Sequence, residues 1–141
     1  MANITFAIIK PDAMKNGTTG KIYDRILDEK FKILGAKLIR MTLAQAEGFY
    51  AVHTGKPFYA ELTEFMSSGQ CMVLALDKEN AVATWRKTIG STDPKDAEEG
   101  TIRRDFATNI GKNAVHGSDS DENAEKEIGF FFTESELIAN R

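Results

Sequence analysis

The apolar and polar positions along the chain predict four strands. Residues 3–9 and 71–77 are short runs of almost wholly apolar residues, which is typical of buried strands, and the second run is expected at the centre of a sheet. Residues 32–41 form another strand with a mixed pattern. Residues 130–132, three phenylalanines in a row, are interpreted as a short fourth or edge strand.

Helices are predicted in the intervals between these strands. Ile22 with Ile26, and Trp85 with Ile89, follow the spacing of a helix with one buried face. Capping residues indicate the other helices. These are a helix from Thr42 to Tyr50, a helix over residues 58–67 with Pro57 in its first turn, a helix from Ser118 with Asp121 to Gly129, and a last turn from Thr133 with Glu136.

The order of these elements predicts an α+β protein with a small sheet covered on one face by helices. A doubly wound parallel sheet would need more strands. Residues 91–118 form a long segment with only short ordered pieces, and such segments in compact domains are usually functional or disordered. Its apolar residues Ile102, Phe106 and Ile110 favour a packed, functional segment. We expect one domain over residues 1–141.

Composition narrows the class of protein. Hydrophobic residues make up 42% and charged residues 28% of the 141, which is typical of a globular protein. The net charge of −3 argues against a dedicated nucleic-acid binder, and no apolar stretch has the roughly 20 residues of a membrane span. Cys71 is the one cysteine, so no internal disulfide is possible, and it is interpreted as a buried structural thiol. Without an N-terminal signal sequence, we expect a cytoplasmic location.

His116 is the residue around which catalytic chemistry is most readily built. Gly117 allows close approach of a ligand, and the helix that follows favours an anion at its N-terminus. Glu127 on that helix can reach back and fix the imidazole tautomer. Asp119 and Asp121 leave metal ligation by His116 open, although the spacing matches no common metal motif.

Basic residues suited to phosphate occur on several predicted elements. Lys10 follows the first strand, Arg86 lies on the helix after the third strand, and Arg103 and Arg104 lie in the long segment. Each could also be an ordinary surface residue. No Walker A or dinucleotide-binding glycine pattern is present. His53 follows a helix end without polar neighbours suited to a site, and it is interpreted as a histidine of the last helical turn or of the surface.

Residues 113–119, Asn-x-x-His-Gly-Ser-Asp, with Glu127 after them, resemble the signature of nucleoside diphosphate kinases. The similarity runs essentially end to end. The accompanying blocks are Ile-Ile-Lys-Pro-Asp at residues 8–12, Lys-Pro-Phe at 56–58, Gly-Ser-Thr-Asp-Pro at 90–94 and Gly-Thr-Ile-Arg at 100–103.

The resemblance implies a ferredoxin-like β-α-β-β-α-β core with a four-stranded antiparallel sheet covered by helices. It also implies Mg²⁺-dependent, ping-pong transfer of the γ-phosphoryl group of a nucleoside triphosphate, mainly ATP, to a nucleoside diphosphate with little base selectivity. The expected partners are these nucleotides and further copies of the chain, as a tetramer or hexamer. A histidine phosphocarrier and a non-catalytic ferredoxin-like regulatory module are the alternatives.

The same resemblance implies roles for individual residues. His116 is expected to be the nucleophile, phosphorylated on Nδ1, with Glu127 and Ser118 positioning it. The expected ligands are Lys10, Tyr50, Arg103 and Asn113 around the travelling phosphoryl group, Arg86 and Thr92 on the nucleotide's phosphates, Phe58 against the base, and Asp119 as an outer-shell contact of Mg²⁺.

Two positions depart from the family's usual pattern. Arg104 stands where a small residue is usual, and Gln70 stands where proline is usual. Neither is expected to touch the reacting groups, and they bear on surface or assembly detail. Because the chain ends at Arg141, soon after the last helical turn, the choice between tetramer and hexamer stays open.

Overall fold

Four strands form one antiparallel sheet in the computed structural model, which describes residues 3–141. The strands are β1 (Ile4–Ile9), β2 (Lys32–Arg40), β3 (Gln70–Asp77) and β4 (Val115–Gly117). Their order in the sheet is β2-β3-β1-β4, so the two most apolar strands, β1 and β3, are central as their sequences predict. The predicted class, an α+β fold with a four-stranded antiparallel sheet, is confirmed.

Eight helices and one 3₁₀ turn connect the strands within the described residues. They are α1 (Pro11–Lys15), α2 (Thr19–Asp28), α3 (Leu43–Phe49), the 3₁₀ turn Ala51–His53, α4 (Tyr59–Met66), α5 (Ala81–Ile89), α6 (Ile102–Phe106), α7 (Asp121–Phe131) and α8 (Glu134–Ala139). The ferredoxin-like core is β1-α2-β2-β3-α5-β4. The pair α3–α4 is inserted between β2 and β3, and α7–α8 follow the core. None of the helices in residues 3–141 has the length and apolar character needed to cross a membrane.

Helices cover both faces of the sheet, so the expectation of a single covered face is wrong. Successive residues of β1 belong to two separate buried clusters, Ala7 and Ile9 to one and Phe6 and Ile8 to the other. Helices α2 and α5 complete the first cluster, while α3, α4 and α7 complete the second. The physical reason is that β1 and β3 are apolar at consecutive positions, which requires burial on both sides.

The fourth strand is the segment that carries His116, and the strand predicted over residues 130–132 is wrong. Phe131 is the last residue of α7, and Phe132 follows as its C-cap. A short apolar run does not distinguish a strand from a buried helix end, which explains the error. β4 has only three residues, Val-His-Gly, and therefore lacks any alternating pattern that would have identified it.

The helix caps agree with prediction at two ends and differ at one. Thr42 with Gln45 and Thr133 with Glu136 form capping boxes. The predicted start of α7 at Ser118 is wrong, because the N-cap is Ser120, whose hydroxyl accepts a hydrogen bond from the Asn123 N–H. Ser118 belongs to the site described below.

A close contact between Gly35 of β2 and Phe132 generates a stability prediction. A Cβ atom at position 35 would lie 2.6 Å from the Phe132 ring, so Gly35→Ala should lose about 1–3 kcal/mol of unfolding free energy. A Cβ atom at Gly129 in α7 would enter open space, so Gly129→Ala should gain about 0.4–1 kcal/mol of unfolding free energy. Urea unfolding of both variants measures the difference, and equal shifts in the same direction would contradict the packing described.

Candidate active site

His116 lies on β4, opposite Ile8 of the neighbouring strand β1. Its Nε2 atom is 2.9 Å from Oε1 of Glu127 on α7, and the Ser118 hydroxyl donates to the same oxygen at 2.7 Å. An ionised carboxylate only accepts hydrogen bonds, so Nε2 carries the proton in this pair. In the neutral ring, Nδ1 is then left with a free lone pair.

Aromatic rings surround the His116 imidazole. The rings of Phe6, Phe49 and Tyr50 lie edge-on at centroid distances of 6.0, 5.7 and 6.3 Å. The buried Tyr50 hydroxyl has no hydrogen-bond partner within residues 3–141. Burial, and then the negative charge of Glu127, raise the pKa of Tyr50, which keeps the hydroxyl protonated as a donor.

Lys10 is held at the end of β1 by the segment that leads into β4. Its backbone N–H donates to the Ala114 carbonyl, and its Nζ donates to Oδ1 of Asn113 at 2.9 Å. Ala114 has a positive φ of 72°, and its N–H donates to the buried carboxylate of Asp12. Burial and the nearby charge of Arg103 lower the Lys10 pKa to about 8, although Asp12 opposes the shift.

Arg103 is the second buried cation of the site. Its guanidinium donates to the carbonyls of Gly90 at 3.1 Å and Val115 at 2.9 Å, while its buried Nε has no partner in the described part of the chain. Burial, and then the charge of Arg86, lower the Arg103 pKa to about 10. Two buried cations that repel each other are costly unless an anion joins them, so this arrangement favours a phosphate-bearing ligand.

A cleft of about 490 Å³ adjoins Arg103 and is also lined by Arg86 and Thr92. Asn113 connects this cleft to Lys10, because its side-chain amide donates to the Thr92 carbonyl at 3.3 Å. The structure therefore brings together the predicted phosphate ligands from β1, α5, α6 and the segments between them.

Asp119 is the predicted contact of a metal ion. It lines a depression beside Arg86, and the hydrogen bond from the Asn123 amide is the largest cause that lowers its pKa. Asn123 donates to Oδ1 of Asp119 at 2.6 Å. Residues 3–141 contain no group of three His, Cys, Asp or Glu side chains that could hold a metal ion by themselves. A single exposed carboxylate fits an ion that arrives already bound to phosphates.

The predicted base contact, Phe58, is the N-cap residue of α4, and 48% of its surface is exposed.

The prediction that His53 has no suitable polar neighbours is wrong. The Nζ atom of Lys56 lies 3.0 Å from Nδ1 of His53, and the imidazole lies 5.2 Å from the Phe58 ring. Partial burial, Lys56 and His116 lower the His53 pKa against the effect of Asp119, so His53 borders the site.

Gly117 and Arg104 have neighbours other than those expected. Gly117 is approached by the Trp85 indole, since a Cβ atom there would lie 2.8 Å from Cδ1 of that ring. Arg104 donates to the carbonyls of Lys95 and Ala97 at 3.4 and 3.3 Å, which ties it to the preceding segment. Gln70 pairs with Arg40 at the end of the sheet. Neither departure from the family's pattern touches His116.

The fold and the site define a class: a ferredoxin-like α+β enzyme with a carboxylate-paired histidine on its edge strand and two buried cations, Lys10 and Arg103, bound to the two residues before that histidine. The nucleoside diphosphate kinase family model matches residues 3–137. A nucleoside diphosphate kinase of Salinibacter ruber is 54% identical over 136 residues, which is 96% of each chain. One of Geotalea uraniireducens is 54% identical over 134 residues, 95% of this chain and 98% of the relative.

Solved structures agree with these relatives. The Aquifex aeolicus nucleoside diphosphate kinase superposes with a TM-score of 0.93 at 45% identity, covering 95% of this chain and 97% of the other. The enzyme of Halobacterium salinarum in complex with CDP gives a TM-score of 0.90 at 35% identity, covering 96% and 91%. The chain belongs to the nucleoside diphosphate kinase family, and it is therefore a phosphotransferase that acts on nucleotides.

The buried Lys10 ammonium predicts a pH dependence of stability. The Lys10 pKa is about 8 in the folded protein and 10.5 in the unfolded chain. The free-energy cost of burying the charge is therefore fully present below pH 8, and it is relieved as the pH rises toward 10.5. Between pH 7 and pH 10 the wild-type unfolding free energy should gain about 1–3 kcal/mol relative to Lys10→Met. Urea unfolding at both pH values measures this difference, and parallel profiles would contradict it.

Proposed function

We propose that the chain transfers the γ-phosphoryl group of a nucleoside triphosphate, mainly ATP, to a nucleoside diphosphate through a phosphohistidine on Nδ1 of His116. The observation that carries this proposal is the hydrogen bond between Nε2 and Glu127, which leaves the Nδ1 lone pair free, while Lys10 and Arg103 bind the carbonyls of the two residues that precede His116. Family membership supports nucleotides as the substrates.

In the first half-reaction, the Nδ1 lone pair of His116 forms the N–P bond as the bond from the γ-phosphorus to its bridging oxygen breaks. The nucleoside diphosphate leaves with that electron pair. The ring becomes positively charged, and the carboxylate of Glu127, held by the Ser118 hydroxyl, stabilises this charge. A second nucleoside diphosphate then reverses these steps, which gives ping-pong kinetics.

Lys10, Arg103, Tyr50 and Asn113 surround the phosphoryl group during transfer. The transition state of phosphoryl transfer is loose and carries its charge on the equatorial oxygens, so positioned donors and cations supply most of the stabilisation. The Tyr50 hydroxyl and the Arg103 Nε are buried donors without a partner among residues 3–141. Phosphoryl oxygens would satisfy both.

The rest of the nucleotide is held by residues at the mouth of the cleft. Arg86 and Thr92 bind the phosphates that remain on the nucleotide, and the exposed ring of Phe58 stacks against the base. Stacking uses the face that every base possesses and does not read base edges, so little base selectivity is expected. The CDP complex of the Halobacterium salinarum relative supports a pyrimidine nucleotide as one substrate.

Mg²⁺ is proposed to enter with the nucleotide, bound to its phosphates, where it neutralises part of their charge. The exposed carboxylate of Asp119, on the rim beside Arg86, would contact the ion through its water shell. A single domain over residues 1–141, a cytoplasmic location and a homo-oligomer, tetramer or hexamer, complete the proposal. Light scattering on the purified chain decides the oligomer number.

The phosphohistidine generates the most direct activity prediction. The chain mixed with Mg-ATP and no acceptor should gain one phosphoryl group per chain, stable in alkali and labile in acid, and His116→Ala should gain none. Added GDP, UDP and CDP should each remove the group. Intact-mass spectrometry before and after each addition measures both steps.

The same experiment separates the alternatives. A histidine phosphocarrier would load but keep its group in the presence of every nucleoside diphosphate, and a regulatory module would never load. A label that persists in His116→Ala would contradict the assigned nucleophile.

Phe58 generates a binding prediction. If its ring stacks on the base, Phe58→Ala should weaken the binding free energies of ADP, GDP and CDP by similar amounts, about 1–3 kcal/mol for full stacking. Val52 is also exposed and lies outside the proposed ligand set, so Val52→Ala is the matched control with unchanged affinity. Titration calorimetry and thermal melting of both variants measure the effects; lost stability with unchanged affinity would assign Phe58 a purely structural role.

A further inference from the structure

Trp85 connects a core helix to the backbone of His116. It is the only tryptophan of the chain, it lies on α5, and its side chain is fully buried. The indole N–H donates a hydrogen bond to the main-chain carbonyl of His116 at 3.1 Å. A deeply buried side chain therefore contacts the same residue whose imidazole pairs with Glu127.

The indole also packs against the residue that follows His116. A Cβ atom at Gly117 would lie 2.8 Å from Cδ1 and 3.1 Å from Nε1 of the ring, so only glycine allows this approach. On another side, the Phe31 ring meets the indole edge-on at a centroid distance of 5.6 Å. These contacts leave the indole little freedom to move relative to the 116–117 backbone.

The helix that carries Trp85 also sets the position of two cations. Arg86, the next residue, lines the phosphate cleft. The Gly90 carbonyl at the end of α5 accepts a hydrogen bond from Arg103. Within residues 3–141, β4 is an edge strand that pairs with β1 alone, so its placement depends strongly on side-chain contacts of this kind.

We propose that Trp85 is a positioning residue for phosphoryl transfer, fixing the backbone of His116 at a set distance from Arg86 and Arg103. Trp85 does not touch the nucleotide and acts through the main chain of His116. This inference rests on the proposed function of His116 as the nucleophile. It adds one requirement for transfer besides the imidazole, Glu127 and the cations: a fixed position of the His116 backbone.

Trp85→Phe tests the inference, because it keeps an aromatic ring and removes the N–H donor. The single-turnover rate of phosphorylation by Mg-ATP should fall about tenfold, since small displacements of a reacting group are costly, while the KM for ATP stays within about twofold. Ile26→Val is the matched control: it removes a methylene group, but no hydrogen-bond donor, from another helix of the same buried cluster. It should lower the melting temperature without lowering the phosphorylation rate.

The outcomes separate this inference from the proposed function. A wild-type chain that does not load would overturn both. A wild type that loads, with Trp85→Phe loading at the same rate or slowed no more than Ile26→Val, would overturn the positioning role alone.

A second measurement uses the wild type and does not depend on the variant's folding. One tryptophan gives one indole N–H cross-peak in a ¹H–¹⁵N spectrum. Because its acceptor is the carbonyl of the residue that becomes phosphorylated, the peak should move on loading with Mg-ATP by more than it moves with ADP, and it should return when GDP is added. A peak that moves no more on loading than with ADP would contradict the coupling.

Discussion

The burial of two neighbouring cations, Lys10 and Arg103, is the constraint on which the rest of the site depends. Both have lowered pKa values, and burial is the largest cause in each case. This arrangement weakens the fold in the absence of an anion, so it is maintained by other interactions. Asp12 holds Ala114 at a positive φ, which places Asn113 against Lys10, and the carbonyls of Gly90 and Val115 hold Arg103. The fold thus holds two cations close together, and the proposed phosphoryl group would offset their repulsion.

The His116 imidazole is paired with a negative group. Glu127 reaches Nε2 of His116 from α7, and Ser118 fixes the same carboxylate oxygen. His116 therefore has a carboxylate at one ring nitrogen, while Arg86 and Arg103 line the cleft described above. In the proposed mechanism, the carboxylate stabilises the ring as it becomes positive when the phosphoryl group arrives. The buried indole of Trp85 adds a mechanical link, because the helix that positions the cations also contacts the backbone of the histidine.

The sequence predicted the central strands and most helices, because long apolar runs and regular spacing have few alternative explanations. It failed at β4, where three residues, Val-His-Gly, carry no pattern, and at residues 130–132, where three phenylalanines satisfy strand and helix alike. Lys10 and Asn113 are 103 residues apart in the sequence, and the topology of the fold brings them into contact. Before the structure, only the resemblance to a family indicated that they share a site. His53 was missed because its Lys56 partner is brought close by a 3₁₀ turn that the sequence does not indicate. The predicted N-cap, Ser118, binds Glu127 instead, a tertiary contact that a local capping pattern does not reveal, and Ser120 caps α7.

We propose that Glu127 holds the Nε2 proton of His116 and leaves Nδ1 as the atom that receives the phosphoryl group. The most direct measurement is the identity of the phosphorylated ring nitrogen in the loaded chain, read from ¹⁵N–³¹P couplings after reaction of ¹⁵N-histidine-labelled protein with Mg-ATP. We expect coupling to Nδ1 and a protonated Nε2 hydrogen-bonded to the carboxylate. A phosphoryl group on Nε2 would contradict it, because that nitrogen would have to leave Glu127 before it could react.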